Sequence, residues 1–120
     1  MGKVIEFIKK RKSLNKLVLD NCTIITKRFF NLDNNCYENG NIPSKYKELM
    51  GLVGSLILRC NDCIMYHCIQ AKKNGVSDKE FSEACDIALI IGGSIVIPHL
   101  REAYSIWDEL KNLSIDELNK

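Results

Sequence analysis

Residues 43–67 read PSKYKELMGLVGSLILRCNDCIMYH, and this stretch decides the fold. Tyr46, Leu49, Met50, Val53, Leu56 and Ile57 recur at offsets of three and four, the spacing of one face of an α-helix. Pro43 suits a first helical position, where its missing N–H is not needed. A break is expected between Arg59 and Asp62. Beyond it, Cys63, Ile64, His67, Cys68 and Ala71 fall on one face of a second helix.

The same period runs outward in both directions. Leu14, Leu17, Val18, Cys22, Ile25, Phe29 and Leu32 predict a helix opened by Ser13, preceded by a shorter amphipathic helix over Val4, Ile5, Phe7 and Ile8. Asp33 to Asn41, rich in Asn, reads as a loop. Asn74-Gly75 is a helix stop, and Ser77-Asp78-Lys79-Glu80 is a capping box opening a helix that buries Phe81, Ala84, Cys85 and Ala88. After Gly92-Gly93 a last long helix is expected to about Leu110, with Pro98 early in it, then a short tail helix after Ser114. Tyr104 and Trp107 read as core or subunit contacts. Only Ile95-Val96-Ile97 hints at a strand. The expectation is an all-α chain forming one domain over residues 1–120.

Composition narrows the function. The 120 residues carry a net charge of +2, but the first 28 hold eight Lys/Arg against two acids, and the remainder nine against thirteen. A basic segment can touch nucleic acid or an anionic membrane. No groove-reading or aromatic-interleaved motif accompanies it, so nucleic acid is not expected, and a solvated or subunit-facing helix is the plainer reading. The longest stretch free of charged residues, Ile87 to Leu100, falls short of the ~20 needed to span a bilayer. The N-terminus lacks the pattern of a secretory signal, which places the chain in the cytoplasm. There six cysteines suggest metal or redox chemistry before disulfide scaffolding. No Gly-rich phosphate loop is present, so no nucleotide cofactor is implied.

The chemistry concentrates in Cys60-Asn61-Asp62-Cys63-Ile64-Met65-Tyr66-His67, a C-x-x-C-x-x-x-H motif. Cys63 and His67 are one helical turn apart, and Cys60 stands at or just before the first turn, so the three converge. A thiol there meets the positive end of the helix dipole and unpaired N–H groups, which favour thiolate. Two intervening residues are the spacing of dithiol–disulfide catalysts. His67 can pass protons to and from Cys63. The dipole favours Cys60 as the attacking thiol, and adjacency to His67 favours Cys63, to which we give preference. Asp62 opposes thiolate formation at either cysteine while suiting a first helical turn. Three other readings stay open: buried packing cysteines, a zinc set of Cys60, Cys63, His67 and Cys68, and a disulfide between other pairs among Cys22, Cys36 and Cys85. Against zinc, Cys68 adjoins His67 at an awkward angle, and no second C-x-x-C completes the set, so no metal is assigned. Cys22 and Cys85 read as core cysteines and Cys36 as a loop cysteine. His99, beside Pro98, either lines the site or packs, and packing is favoured.

With Glu48 twelve residues before Cys60, the pattern E-x11-C-x-x-C-x-x-x-H, followed by Ile90-Ile91-Gly92-Gly93, resembles the alkylhydroperoxidase D-like branch of the carboxymuconolactone decarboxylase family. The resemblance covers about residues 42–110, leaving 1–40 as an N-terminal helical segment without a family signal. It implies an all-helical fold with a central helical hairpin, packed as a homo-oligomer, a trimer or hexamer. It also implies thiol-dependent reduction of a hydroperoxide. Glu48 would draw a proton through His67 and a water, and Cys60 and Cys63 would form the redox-active disulfide. A dithiol donor, lipoyl- or thioredoxin-like, would then reduce it. One departure from the best-known members is Asp62, where they often carry histidine or another aromatic. The family's other activity, lactone decarboxylation, does not depend on a C-x-x-C pair and is the alternative enzyme reading; a non-enzymatic metal or redox-sensing module is the other.

Overall fold

The computed structural model describes residues 2–120, which form seven α-helices. These are α1 (Lys3–Asn21), α2 (Ile24–Cys36), α3 (Ser44–Leu58), α4 (Asn61–Lys73), α5 (Asp78–Gly92), α6 (Ile97–Leu110) and α7 (Ile115–Leu118), with one 3-10 turn at Ser94–Val96. Among the described residues there is no strand, and Ile95-Val96-Ile97 is helical. The chain is thus all-α. No described helix is long and apolar enough to cross a membrane.

Helices α3 and α4 form the central hairpin, with α5 against α3 and α6 against α4. Leu52, Leu56, Ile64, Phe81, Ile106 and Leu110 are fully buried between them. At about 1.5–3 kcal/mol per buried large apolar side chain, this shared interior is the main source of stability. Phe81 stacks on Trp107 with centroids 4.4 Å apart, and the indole N–H donates to Asp78 Oδ1 at 2.8 Å. Tyr104 stays half exposed, edge-on to Phe81.

The two turns flanking α4 close in the same way. After α4, Gly75 N–H donates to the Lys72 carbonyl and Val76 N–H to the Ala71 carbonyl, with Gly75 at φ +80°. After α3, Arg59 N–H donates to the Leu56 carbonyl and Cys60 N–H to the Ser55 carbonyl, with Arg59 itself left-handed at φ 59°. This is the Schellman closure, for which glycine is the usual left-handed residue. The capping box at Ser77–Glu80 is present, and a second one, Ser114–Glu117, opens α7. Pro98 lies at the start of α6, where it costs no hydrogen bond.

The N-terminal segment departs from expectation. Ser13 is inside α1, which runs unbroken from Lys3; the break falls at Cys22-Thr23. Tertiary contacts account for the early start. Val4 is fully buried, its N–H donates to Glu109 Oε2 at 2.7 Å, and Lys3 pairs with Glu102 at 3.2 Å. Helix α2 continues through the Asn-rich stretch to Cys36, since composition is a weak prior against an established helix. Pro43 precedes α3 as its cap residue. The α3 stripe is rotated from that expected: Tyr46 and Met50 face outward, while Glu48, Leu52, Ser55 and Leu56 are buried.

Candidate active site

Four elements assemble the site: the middle of α3, the first two turns of α4, the α2–α3 loop and the start of α6. Cys60 is the N-cap of α4, and its Sγ accepts the Cys63 N–H at 3.2 Å. Cys60 and Cys63 are joined as a disulfide, with Cα atoms 5.3 Å apart. The left-handed turn at Arg59 reverses the chain so that Cys60 starts the new helix. Cys63 is exposed, Cys60 half-buried, and the pair lies at the positive end of the α4 dipole.

One turn on, His67 points inward. Its Nδ1 lies 2.8 Å from Glu48 Oε1, and both side chains are nearly excluded from solvent. The closeness depends on Gly51, one turn beyond Glu48 on α3. A Cβ at position 51 would lie 2.5–2.7 Å from three atoms of the imidazole. Only glycine lets the ring lie against the α3 backbone. Ser55, a further turn along, returns its hydroxyl to the Gly51 carbonyl at 2.7 Å.

Two tyrosines hold the ring from other sides. Tyr66 meets His67 edge-on and Tyr37 meets it at a tilt, each with centroids 5.2 Å away. Burial, and then the Glu48 carboxylate, push both phenols above the ordinary tyrosine range, so they stay protonated. Tyr37 is held by its loop: Ser44 Oγ donates to the Tyr37 carbonyl at 2.7 Å, and Lys47 Nζ donates to the Cys36 and Glu38 carbonyls at 3.0 and 2.8 Å. A cleft of about 520 Å³ opens on His67, lined by Tyr37, Met50, Gly51, Ser55 and Leu58 among others. On its other side Glu48 borders a smaller polar cavity of about 220 Å³ with Tyr37, Tyr66 and Gln70.

The structure thus brings Glu48 and His67 into direct contact and joins Cys60 to Cys63 one turn away. His99 reaches the motif through Asn61, with its Nδ1 2.8 Å from Asn61 Oδ1. Asp62 lies on the exposed side of the first α4 turn. The other cysteines separate by environment. Cys68 and Cys85 are buried in the core; burial pushes both thiols up, Cys85 to about 12, and keeps them protonated. Cys36 is exposed, and Cys22, expected in the core, is only half-buried. Among the described residues no group of three or more His, Cys, Asp or Glu side chains gathers to hold a metal ion.

Neither periodicity nor motif spacing singles out Gly51, Tyr37 or Tyr66 as parts of the site. Gly51 carried a signal: a glycine one turn after Glu48, on the face that must meet His67. Tyr37 carried none, since its place depends on a loop that turns back onto α3.

Comparison with known proteins fits this architecture. Residues 25–105 match the sequence pattern described as the carboxymuconolactone decarboxylase family. The chain belongs to that family. TM1620 from Thermotoga maritima, known from two crystal structures, is 54% identical in one, with a TM-score of 0.87 over 88% of this chain and 93% of that one. The other, at 53% identity and a TM-score of 0.85, covers 88% of this chain and 90% of that one, and is named for a candidate involvement in antioxidative response. Apo-lpg0406 from Legionella pneumophila, another family protein, shares the fold at 20% identity, with a TM-score of 0.82 over 89% and 96% of the two chains. An uncharacterized protein of Cupriavidus necator is 25% identical over 73 residues, 61% of this chain and 65% of its own length.

Proposed function

We propose that this family member is a thiol-dependent hydroperoxide reductase. The observation that carries the reading is the buried Glu48–His67 contact at 2.8 Å, one helical turn from the Cys60–Cys63 pair. A solvent-excluded carboxylate on one imidazole nitrogen fixes the tautomer and leaves the other nitrogen to exchange protons on the cysteine side. The antioxidative association of the Thermotoga relative supports the same reading.

In the proposed cycle, Cys63 as thiolate attacks the terminal peroxide oxygen. The S–O bond forms, the O–O bond breaks, and the alkoxide leaves as alcohol after taking a proton delivered through His67 and a water. The Cys60 thiolate then attacks the sulfenic sulfur, forming the disulfide and expelling hydroxide, which leaves as water. A dithiol donor, lipoyl- or thioredoxin-like, supplies the two electrons that reopen the pair. Glu48 takes up and returns the proton that His67 handles, and its polar cavity gives that proton a route to solvent.

The reading includes self-association as a trimer or hexamer. Helix α2 buries no residue within the chain and presents Ile25, Phe29 and Leu32 openly, and α5 does the same with Ile87, Ile90 and Ile91. Faces of this extent mark protein contacts.

The test is a thiol count. Reduced protein mixed with a slight excess of an organic hydroperoxide should lose two thiols per peroxide consumed. Cys60→Ser should stop at sulfenic acid on Cys63, and Cys63→Ser should consume no peroxide. Unchanged thiols in the unmodified protein would refute the reading, and carbon dioxide release from a muconolactone would replace it with the lyase activity.

A further inference from the structure

A second cleft lies away from the cysteine pair, between α1 and α4. Helix α1 is anchored at its start by Val4 and Lys3 on α6 and also meets α7. The wedge between α1 and α4 has a volume of about 550 Å³, within the range of small-molecule sites. Its floor is apolar: Phe7, Ile8 and Leu19 from α1, Ile69 from α4 and Leu118 from α7. Its rim is cationic: Arg11 and Lys12 from α1 and Lys73 from α4. The acid on the wall, Asp20, is already paired with Lys16. Among the described residues no carboxylate lies within ion-pair distance of Arg11, Lys12 or Lys73.

Arg11 and Lys12 are exposed and Lys73 half-buried, so like charges meet beside apolar surface with no directly paired carboxylate. The Lys73 ammonium is held below the ordinary lysine range by burial and then by Arg11. Arg11 is fixed in place, with its guanidinium 4.2 Å from the centroid of the Tyr66 ring. A cationic rim above an apolar floor matches a ligand with one anionic head and one hydrocarbon tail. An inorganic anion would leave the floor wet, and a neutral hydrocarbon would leave the cations unpaired.

We propose that the α1–α4 wedge binds a free alkyl carboxylate, with the head between Arg11 and Lys73 and the chain along Ile8, Ile69 and Leu118. The ligand would sit against Tyr66, whose far edge packs on His67. The site is independent of the peroxidase reading, since no cysteine lines it.

Calorimetric titration of the full chain with decanoate, below its micelle-forming concentration, tests the proposal. Saturable binding of one decanoate per chain is expected, with 1-decanol and acetate each at least tenfold weaker. Arg11→Met and Lys73→Met should each weaken decanoate about tenfold, Lys12→Met less, and Lys27→Met on α2 not at all. Equal binding of decanol would reduce the wedge to an apolar void and overturn the proposal. So would decanoate affinity unchanged in both rim variants. Two further outcomes would also overturn it: Arg11→Met altering the oligomeric mass with no decanoate bound, which makes the wedge a seat for a second copy, and capture by phosphatidylglycerol vesicles without binding of free decanoate.

Discussion

Helices α2 and α3 carry apolar rows of the same period, yet they end in opposite surroundings. On α3, Leu52 and Leu56 vanish into the core, and Leu49 and Val53 pack against it. On α2, Ile25, Phe29 and Leu32 stay about two-thirds exposed or more. Periodicity reports that a face will be covered; it does not report by what. The α3 face is covered from within the chain, and the α2 face is open in the single chain.

The contrast can be broken by truncation. Leu52→Ala should cost about 2–5 kcal/mol of unfolding free energy, read by denaturant titration, because it leaves a cavity. Phe29→Ala should leave the unfolding of dilute, dissociated protein within about 0.5 kcal/mol of the original while lowering the associated fraction in sedimentation velocity. A loss from Phe29→Ala as large as that from Leu52→Ala in dissociated protein would show that α2 is covered within its own chain.

The same contrast of open and occupied space recurs within α3 and lies closer to the chemistry. A Cβ at Gly54 meets nothing within 4 Å, whereas at Gly51 it meets the His67 ring. Gly54→Ala should therefore gain about 0.5–1 kcal/mol from helix propensity and, though position 54 lines the same cleft, leave the His67 ring in place. Gly51→Ala should displace the imidazole from Glu48 and slow peroxide-driven thiol loss about 10²-fold, the scale of a lost general acid–base partner. Glu48→Gln should slow it similarly without moving the ring.

A smaller effect separates the turns on either side of α4. Arg59→Gly should stabilise the fold by about 1 kcal/mol, since glycine takes the left-handed conformation without the Cβ penalty. Gly75→Ala should destabilise it by a similar amount for the same reason in reverse. Thermal midpoints measured side by side would show both signs.

The sequence made some of this legible and hid the rest, for physical reasons. Helices α3 to α6 were readable because burial and local signals agreed: Ser77 and Glu80 cap α5, and Gly75 ends α4. The pairing of Cys60 with Cys63 at the start of a helix was within reach of spacing alone. The partnership of His67 with Glu48 lies 19 residues apart and came only with the family resemblance. Ser13 misled because its capping chemistry was outweighed by a distant contact, Val4 on Glu109. Tyr46 and Met50 misled because α3 turns its buried face toward Glu48, and a carboxylate is not a residue that periodicity places inside. Tyr37 was out of reach because its position is set by hydrogen bonds through Ser44 and Lys47.

Cys60 is the cap of a helix and, in the proposed cycle, half of a redox couple. Its sulfur accepts the Cys63 N–H while bonded to Cys63, and a free thiolate at the same place would accept that N–H more strongly because its charge assists the bond. Gaining or losing two electrons therefore leaves the helix with the same number of satisfied donors. Nothing has to unwind for the pair to open, and nothing has to refold for it to close. In the proposed cycle the scaffold beneath the pair would stay still, and the arrival of reaction partners would set its tempo.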